Sequence, residues 1–260
     1  MTKTGRMNSE IAVSAENVSK SFDSQRVLEN VSFSLVRGST LVVLGASGSG
    51  KSVMMSLLVG LMYPDEGTIT VLGEEVTSFR RESDWTNLRL KIGFLFQGSA
   101  LYDSMTLAEN VAFPLVQHSR QSGDEIERRV TEKLSLVGLA GAEGKMPAEL
   151  SGGMQKRAGL ARALALDPEL VIYDEPTTGL DPMRADSISR LIRRLQNELH
   201  NTAIVVTHDI ACAYTVADTM VLLHNGRIIA EGTADYFKTC SDEAVRQFVS
   251  GSSEGPLEMG

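Results

Sequence analysis

Eight consecutive residues, Gly45-Ala46-Ser47-Gly48-Ser49-Gly50-Lys51-Ser52, have the spacing G-x-x-x-x-G-K-[ST]. Glycines let a backbone curl until successive N–H groups converge on one point, which suits a phosphate. An apolar run, Leu41-Val42-Val43-Leu44, precedes the motif, and Val53-Met54-Met55-Ser56-Leu57-Leu58 follows it. Strand, turn and helix are therefore expected in that order. The helix would add its free N-terminal amides and positive dipole end to the cradle. Lys51 is expected to reach the β- and γ-phosphates of a nucleotide, and Ser52 to place its hydroxyl on Mg²⁺. A Gly/Ser turn between two core elements is the plainer alternative, and the strand-before, helix-after context favours nucleotide binding.

Candidate chemical partners stand at the ends of other apolar runs. Asp174-Glu175 follows residues 170–173, His208 follows 203–207 and Gln97 follows 92–96. In a parallel sheet, ligand sites lie beyond the carboxyl ends of the strands. Asp174 is assigned there to the Mg²⁺ shell and Glu175 to the general base that orients and deprotonates water. Pro176 allows the plainer reading of a turn cap, but two adjacent acids after an apolar strand are costly without a cation. His208 is placed to hydrogen-bond a γ-phosphate and hold water and base in line. Gln97 is placed to touch Mg²⁺ or the water, and to report nucleotide state to the segment after it.

A second anion cradle lies in Leu150-Ser151-Gly152-Gly153-Met154-Gln155, which opens a helix expected over 155–166. Two cradles in one chain are redundant unless they serve different nucleotides. A head-to-tail dimer resolves this, with Ser151 of one copy facing the ATP on Lys51 of the other. Such charge-assisted hydrogen bonds are worth about 1.5–3 kcal/mol each. An ordinary serine N-cap would have the same spacing, so spacing alone leaves both readings open.

These residues need a scaffold. A first strand is expected over 11–22, a half-buried alternating strand over 31–35 and a short strand over 68–72. The helix after Lys51 should run to about residue 61, and a polar helix should lie within 79–90. From 98 to 165 the signals are helical, with capping boxes at Thr106–Glu109 and Ser122–Glu125. Ile126, Val130, Leu134 and Val137 recur at helical spacing. An amphipathic helix is expected over 182–199 and another near 210–217. A hairpin turning at Asn225-Gly226 should follow, then helical residues 233–249. Residues 1–10 are expected to form a flexible tail and 250–260 a C-terminal tail. The expected class is α/β: a P-loop NTPase core with a mostly parallel sheet, an N-terminal antiparallel β subdomain and an inserted α-helical subdomain.

Composition narrows the partners. The chain has 260 residues, 42% hydrophobic, with a net charge of −8. An acidic balance argues against a nucleic-acid surface, which is usually basic. Cys212 and Cys240, the only cysteines, are far apart and suit reduced thiols. Residues 1–10 lack the apolar core of a secretory signal, and no segment reaches the roughly 20 apolar residues of a membrane helix.

Taken in order, the P-loop at 45–52, Gln97, the signature 150–155, Asp174-Glu175, Gly179-Leu180-Asp181 and His208 resemble the ATP-binding subunits of ATP-binding cassette (ABC) transporters. The likeness spans nearly the whole chain. It implies ATP and Mg²⁺ as cofactors, adenine stacked on Phe22 with Val27 nearby, and Asp181 acting across a homodimer interface. It also implies integral membrane permease subunits and a peripheral position on the cytoplasmic face of the inner membrane. Residues 97–106 with 109–115, 154–163, and 245–248 with Gly251 and Gly255-Pro256 are similar to the lipid-transport ATPases of the Mla type. That narrower likeness implies phospholipid transport, an Mce-domain lipid-binding protein and, in many systems, a small STAS-domain protein. The alternatives are the ATPase of a small-solute importer for amino acids or ions, and a soluble ABC ATPase acting on ribosomes or DNA.

Overall fold

The computed structural model describes residues 11–23 and 25–257. The expected tail at 1–10 lies outside them. The N-terminal strands β1 (Ile11–Phe22), β2 (Gln25–Val36), β4 (Glu66–Val71) and β5 (Glu74–Glu75) make an antiparallel sheet in the order β2-β1-β4-β5. On β2, Val31, Phe33 and Leu35 are buried while Ser32 and Ser34 are exposed, which is the alternation expected of a strand with one face on a core.

The second sheet adds β3 (Thr40–Leu44), β6 (Ile92–Leu95), β7 (Leu170–Asp174), β8 (Thr202–Thr207), β9 (Thr219–His224) and β10 (Arg227–Gly232). Its order is β10-β9-β3-β8-β7-β6, parallel except for the β9–β10 hairpin. Asn225 and Gly226 both take positive φ in that hairpin's turn, 46° and 75°. The parallel strands are covered on both faces, so their sequences are continuous apolar runs rather than alternations. Val42 and Leu44 pack into one core with the helices, while Leu41 and Val43 pack into the other with the antiparallel sheet.

The helices of the first half are α1 (Lys51–Leu58), α2 (Glu82–Arg89), α3 (Leu107–His118) and α4 (Gly123–Leu136). Those of the second half are α5 (Gly152–Ala163), α6 (Pro182–Leu199), α7 (Ile210–Val216), α8 (Ala234–Thr239) and α9 (Glu243–Ser250). α3 to α5 occupy the connection from β6 to β7, as expected of a helical insertion. Both capping boxes form, with Thr106 and Ser122 accepting from the amides of Glu109 and Glu125.

Several boundaries differ from expectation. α1 stops at Leu58 because Gly60 takes φ +71° and Leu61 N–H folds back to Ser56 O at 2.9 Å. α5 begins at Gly152 and ends at Ala163, since Ser151 caps it by accepting from Met154 N–H. Residues 233–249 hold two helices, because Asp242 caps a new start through the amides of Ala244 and Val245. The C-terminal segment packs back on α9: buried Gln247 accepts from Leu257 N–H at 2.7 Å and donates to Leu257 O at 3.2 Å.

Candidate nucleotide site

Strand register brings the chemical residues level. Leu44 pairs with Thr207, and Asp174 with Val206, so the loop after β3, the end of β7 and the residues after β8 share one edge. Gln97 follows β6, whose Leu95 pairs with Tyr173. A cavity of ≈ 380 Å³ opens at this edge. Its lining includes Val27, Ser47, Gly48, Gly50, Lys51, Ser52, Gln97, Asp174, Glu175 and His208.

The loop is built to leave its donors open. Gly50 caps α1 at φ 106° with no side chain spent on the first-turn amides, so those N–H groups remain for a ligand. A Cβ on Gly45 would lie 2.4 Å from Ser49 Oγ and 2.5 Å from Leu223 O. Ser49 Oγ is itself buried without a hydrogen-bond partner. Lys51 is buried and its Nζ donates to the carbonyls of Gly45 and Ala46 at 2.7 and 2.8 Å. Burial pushes its ammonium below the ordinary lysine value, while Glu175 and then Asp174 oppose that. Ser52 is exposed at the start of α1.

Two carboxylates act on this cation, Asp174 at the end of β7 and Glu175 just after it. Burial, and secondly the charge on Glu175, push Asp174 above its usual value, while Lys51 and Lys156 pull it down. Glu175 is a non-glycine residue at φ 47° and is 8% exposed. Its amide donates to Val206 O at 2.9 Å. Its carboxylate accepts from Thr178 Oγ1 at 3.2 Å and Thr207 Oγ1 at 3.4 Å, and lies 3.0 Å from His208 Nδ1. Thr177 Oγ1 donates in turn to Asp209, which caps α7. A carboxylate gripped on several sides keeps one orientation, which a proton-accepting group needs.

Not every expected residue reaches this cavity. Ser151, Gly152, Gly153, Asp181 and Phe22 are absent from its lining, as are Gly45, Ala46 and Ser49 of the phosphate loop itself. Ser151 stands exposed at the N-terminus of α5, and Asp181 caps α6 through Arg184 N–H at 3.1 Å. Phe22 is exposed at the end of β1. Three supports escaped the sequence reading: Thr178, Thr207 and Lys156. Thr207 ends a buried strand beside His208 and was open to the same strand-end argument. Lys156 sits inside a helix among buried apolar residues, and nothing in its spacing marks it.

The residues present fit a nucleotide triphosphate with a divalent cation. The first-turn amides and Lys51 form an anion cradle, and a cation would relieve the buried charge on Asp174. Among the described residues, no helix is long and apolar enough to cross a membrane.

The profile of the ABC transporter family matches residues 28–178. The chain is 42% identical to the probable ribonucleotide transport ATP-binding protein mkl of Mycobacterium leprae, over 98% of this chain and 73% of that protein. It is 37% identical to the intermembrane phospholipid transport system ATP-binding protein MlaF of Escherichia coli, over 94% of this chain and 91% of that protein. Among solved structures, a dimeric ATP-binding cassette in a post-hydrolysis state, bound to ADP and Pi, superposes with a TM-score of 0.78 at 33% identity, covering 85% of this chain and 98% of that one. The cbiO1 protein of Clostridium perfringens, part of an ABC transporter complex, gives 0.82 at 29% identity over 88% and 92% of the two chains. With its phosphate loop, paired acids and histidine on one sheet edge, the chain belongs to the ABC transporter family and is an ATP-binding, ATP-hydrolysing component of it.

Proposed function

We propose that this chain closes on ATP and Mg²⁺ as a head-to-tail homodimer and so powers phospholipid movement through a separate membrane permease. The observation that carries the dimer is a division of labour. The cavity gathers Lys51, Ser52, Gln97, Asp174, Glu175 and His208, whereas Ser151, Gly152, Gly153 and Asp181 stand outside it. A helix N-terminus with two glycines and an exposed serine then awaits a phosphate that its own chain does not offer.

In this reading residues 11–249 act as one ATPase domain, with 98–165 as its helical subdomain. The amides of 45–50 and Lys51 hold the β- and γ-phosphates. Ser52, Gln97 and Asp174 hold Mg²⁺, which screens the phosphate charge when bound. Glu175 takes a proton from the attacking water, and His208 fixes that carboxylate and reaches the γ-phosphate. Val27 lines the nucleoside side of the cavity, and Phe22 offers its exposed ring to adenine. Ser151, Gly152, Gly153 and Asp181 of the second copy complete the site.

The permease seat lies beside Gln97. An apolar groove there is lined by Phe94, Phe96, Tyr102, Phe113 and Pro114. Phe96, one residue before Gln97, is 46% exposed. A membrane subunit inserting an apolar segment would touch the loop that touches the nucleotide. The chain then sits peripherally on the cytoplasmic face of the inner membrane, with an Mce-domain lipid-binding protein and a STAS-domain protein as further partners. Phospholipid is supported by similarity to MlaF of Escherichia coli and of Haemophilus influenzae, 37% and 38% identical. The name of the mycobacterial relative favours a second reading, ribonucleotide transport.

The test is purification of the chain with its membrane partners and reconstitution into vesicles carrying a fluorescent phospholipid. ATP-dependent phospholipid movement is expected, with no ATP-dependent uptake of labelled ribonucleotide. The reverse result would replace the lipid assignment with the second reading.

A further inference from the structure

One face of α5 grips the loop that carries Gln97. Lys156, Gly159 and Arg162 recur every three residues and so share a face. Lys156 Nζ donates to Gln97 O. Gly159 lets the loop come close: a Cβ there would lie 2.9 Å from Leu95 Cδ1 and 3.1 Å from Ser99 Cβ. Arg162 donates to Ser99 O and Ala100 O at 2.8 and 2.7 Å. Ser99 and Ala100 both have left-handed backbones, φ 61° and 48°. Such conformations persist in non-glycine residues only where the surroundings enforce them.

Lys156 does more than hold this loop. Its Nζ also donates to Glu175 O at 3.2 Å, the carbonyl of the left-handed residue after β7. One buried ammonium thus joins the main chains of Gln97 and Glu175. Burial lowers its pKa, while Asp174 and then Glu175 oppose that, so the buried cation lies among the acids of the site. The helix that carries it is capped by Ser151, in the cradle offered to the second copy.

We propose that Lys156 is a positioning residue for hydrolysis: from the helix that serves the partner's nucleotide, it sets Gln97 and Glu175 around its own. This rests on the composite-site reading given above and extends it, because the two half-sites of one chain are then tied through a single side chain. Docking of the second copy's phosphate on Ser151 pulls on α5, and Lys156 passes that displacement to the water-handling residues. Nucleotide binding at the cradle of 45–52 needs no such contact.

The experiment uses the full chain. Lys156→Met keeps the aliphatic stem and removes the donor. Its kcat for ATP hydrolysis is expected to fall by about 10²-fold, the loss that a displacement of about 1 Å at reacting groups can cause. The Kd for a non-hydrolysable ATP analogue should stay within about twofold of wild type, the mark of an interaction needed in the transition state. Lys156→Arg, which retains charge and donors, should recover most of the loss. If Lys156→Met does not fold, Lys156→Ala removes the donor with a smaller side chain and the same kcat-against-Kd split is read there. Wild-type kcat in either folded variant, or an equal loss in kcat and in analogue affinity, overturns the proposal. ATP-dependent dimerisation of the Glu175→Gln chain, followed by sedimentation, separates the two ideas. A chain that stays monomeric removes the composite site and this inference with it. A chain that dimerises, while Lys156→Met turns over normally, removes only the role of Lys156.

Discussion

His208 Nδ1 sits between both carboxylate oxygens of Glu175, 3.0 Å from Oε1 and 2.9 Å from Oε2. The imidazole comes from the end of β8 and the carboxylate from the end of β7, so the pair bridges two neighbouring parallel strands. Glu175 is nearly buried, while the His208 side chain is 58% exposed. The buried member is therefore held from the protein side by Thr178 and Thr207, and the exposed member faces the open cavity.

Glu175→Gln keeps the size of the side chain and removes its basicity. ATP turnover should fall by about 10²–10⁴-fold, the usual contribution of a general base, with ATP affinity retained. Phosphate release under saturating ATP and nucleotide binding by calorimetry check the two halves. Turnover near the wild-type rate would remove Glu175 from that role.

Ser151→Arg puts a bulky cation at the N-terminus of α5, outside the cavity of its own chain. Hydrolysis should stop while single-chain nucleotide binding persists. Mixing this variant with Lys51→Ala should restore partial activity, because one of the two composite sites in the heterodimer is intact. Normal hydrolysis by Ser151→Arg alone would mean that each site is complete within one chain.

Asp174 gives a pH-dependent prediction with a definite sign. Its folded-state pKa is raised, chiefly by burial and next by Glu175. The stability it contributes is fully present below its unfolded value of about 3.9 and is lost as pH rises through the higher folded value. Above that window, without nucleotide, the buried carboxyl is a burden. Asp174→Asn should raise the melting temperature there, and the gain should shrink as pH falls through the raised folded value and be gone below about 4. The extra stabilisation that Mg²⁺ adds to ATP should vanish in the same variant. Differential scanning fluorimetry across pH, with and without Mg-ATP, reads both effects.

Gln247 anchors the C-terminal segment by pairing its amide with both backbone groups of Leu257. A Cβ on Gly255 would stand 2.4 Å from its Oε1, so the approach is close. Gln247→Ala should free the segment and leave the paired backbone groups to water, at a local cost of about 1–3 kcal/mol. Hydrogen exchange should speed up at Leu257 and leave the amides of β7 and β8 protected. Unchanged protection at Leu257 would show that other contacts hold it.

The residue order alone determined the fold class and the membership of the sheet edge. Continuous apolar runs such as Leu170-Val171-Ile172-Tyr173 have no polar face to spare, so they had to be strands covered on both sides. Glycines at fixed spacing before Lys51 had to curl into a cradle. Helix ends were less legible. α5 starts at Gly152 because Ser151 caps it, and residues 233–249 break at Asp242, since capping hydrogen bonds outweigh weak helical propensity at such points. Only the tertiary structure decided which groups steady the chemistry. Thr178, Thr207 and His208 converge on Glu175, and Lys156 reaches Gln97 and Glu175 from a helix 59 and 19 residues away in sequence. Contacts of that kind depend on strand order and register, and these are set by how the whole chain packs rather than by any local run of residues.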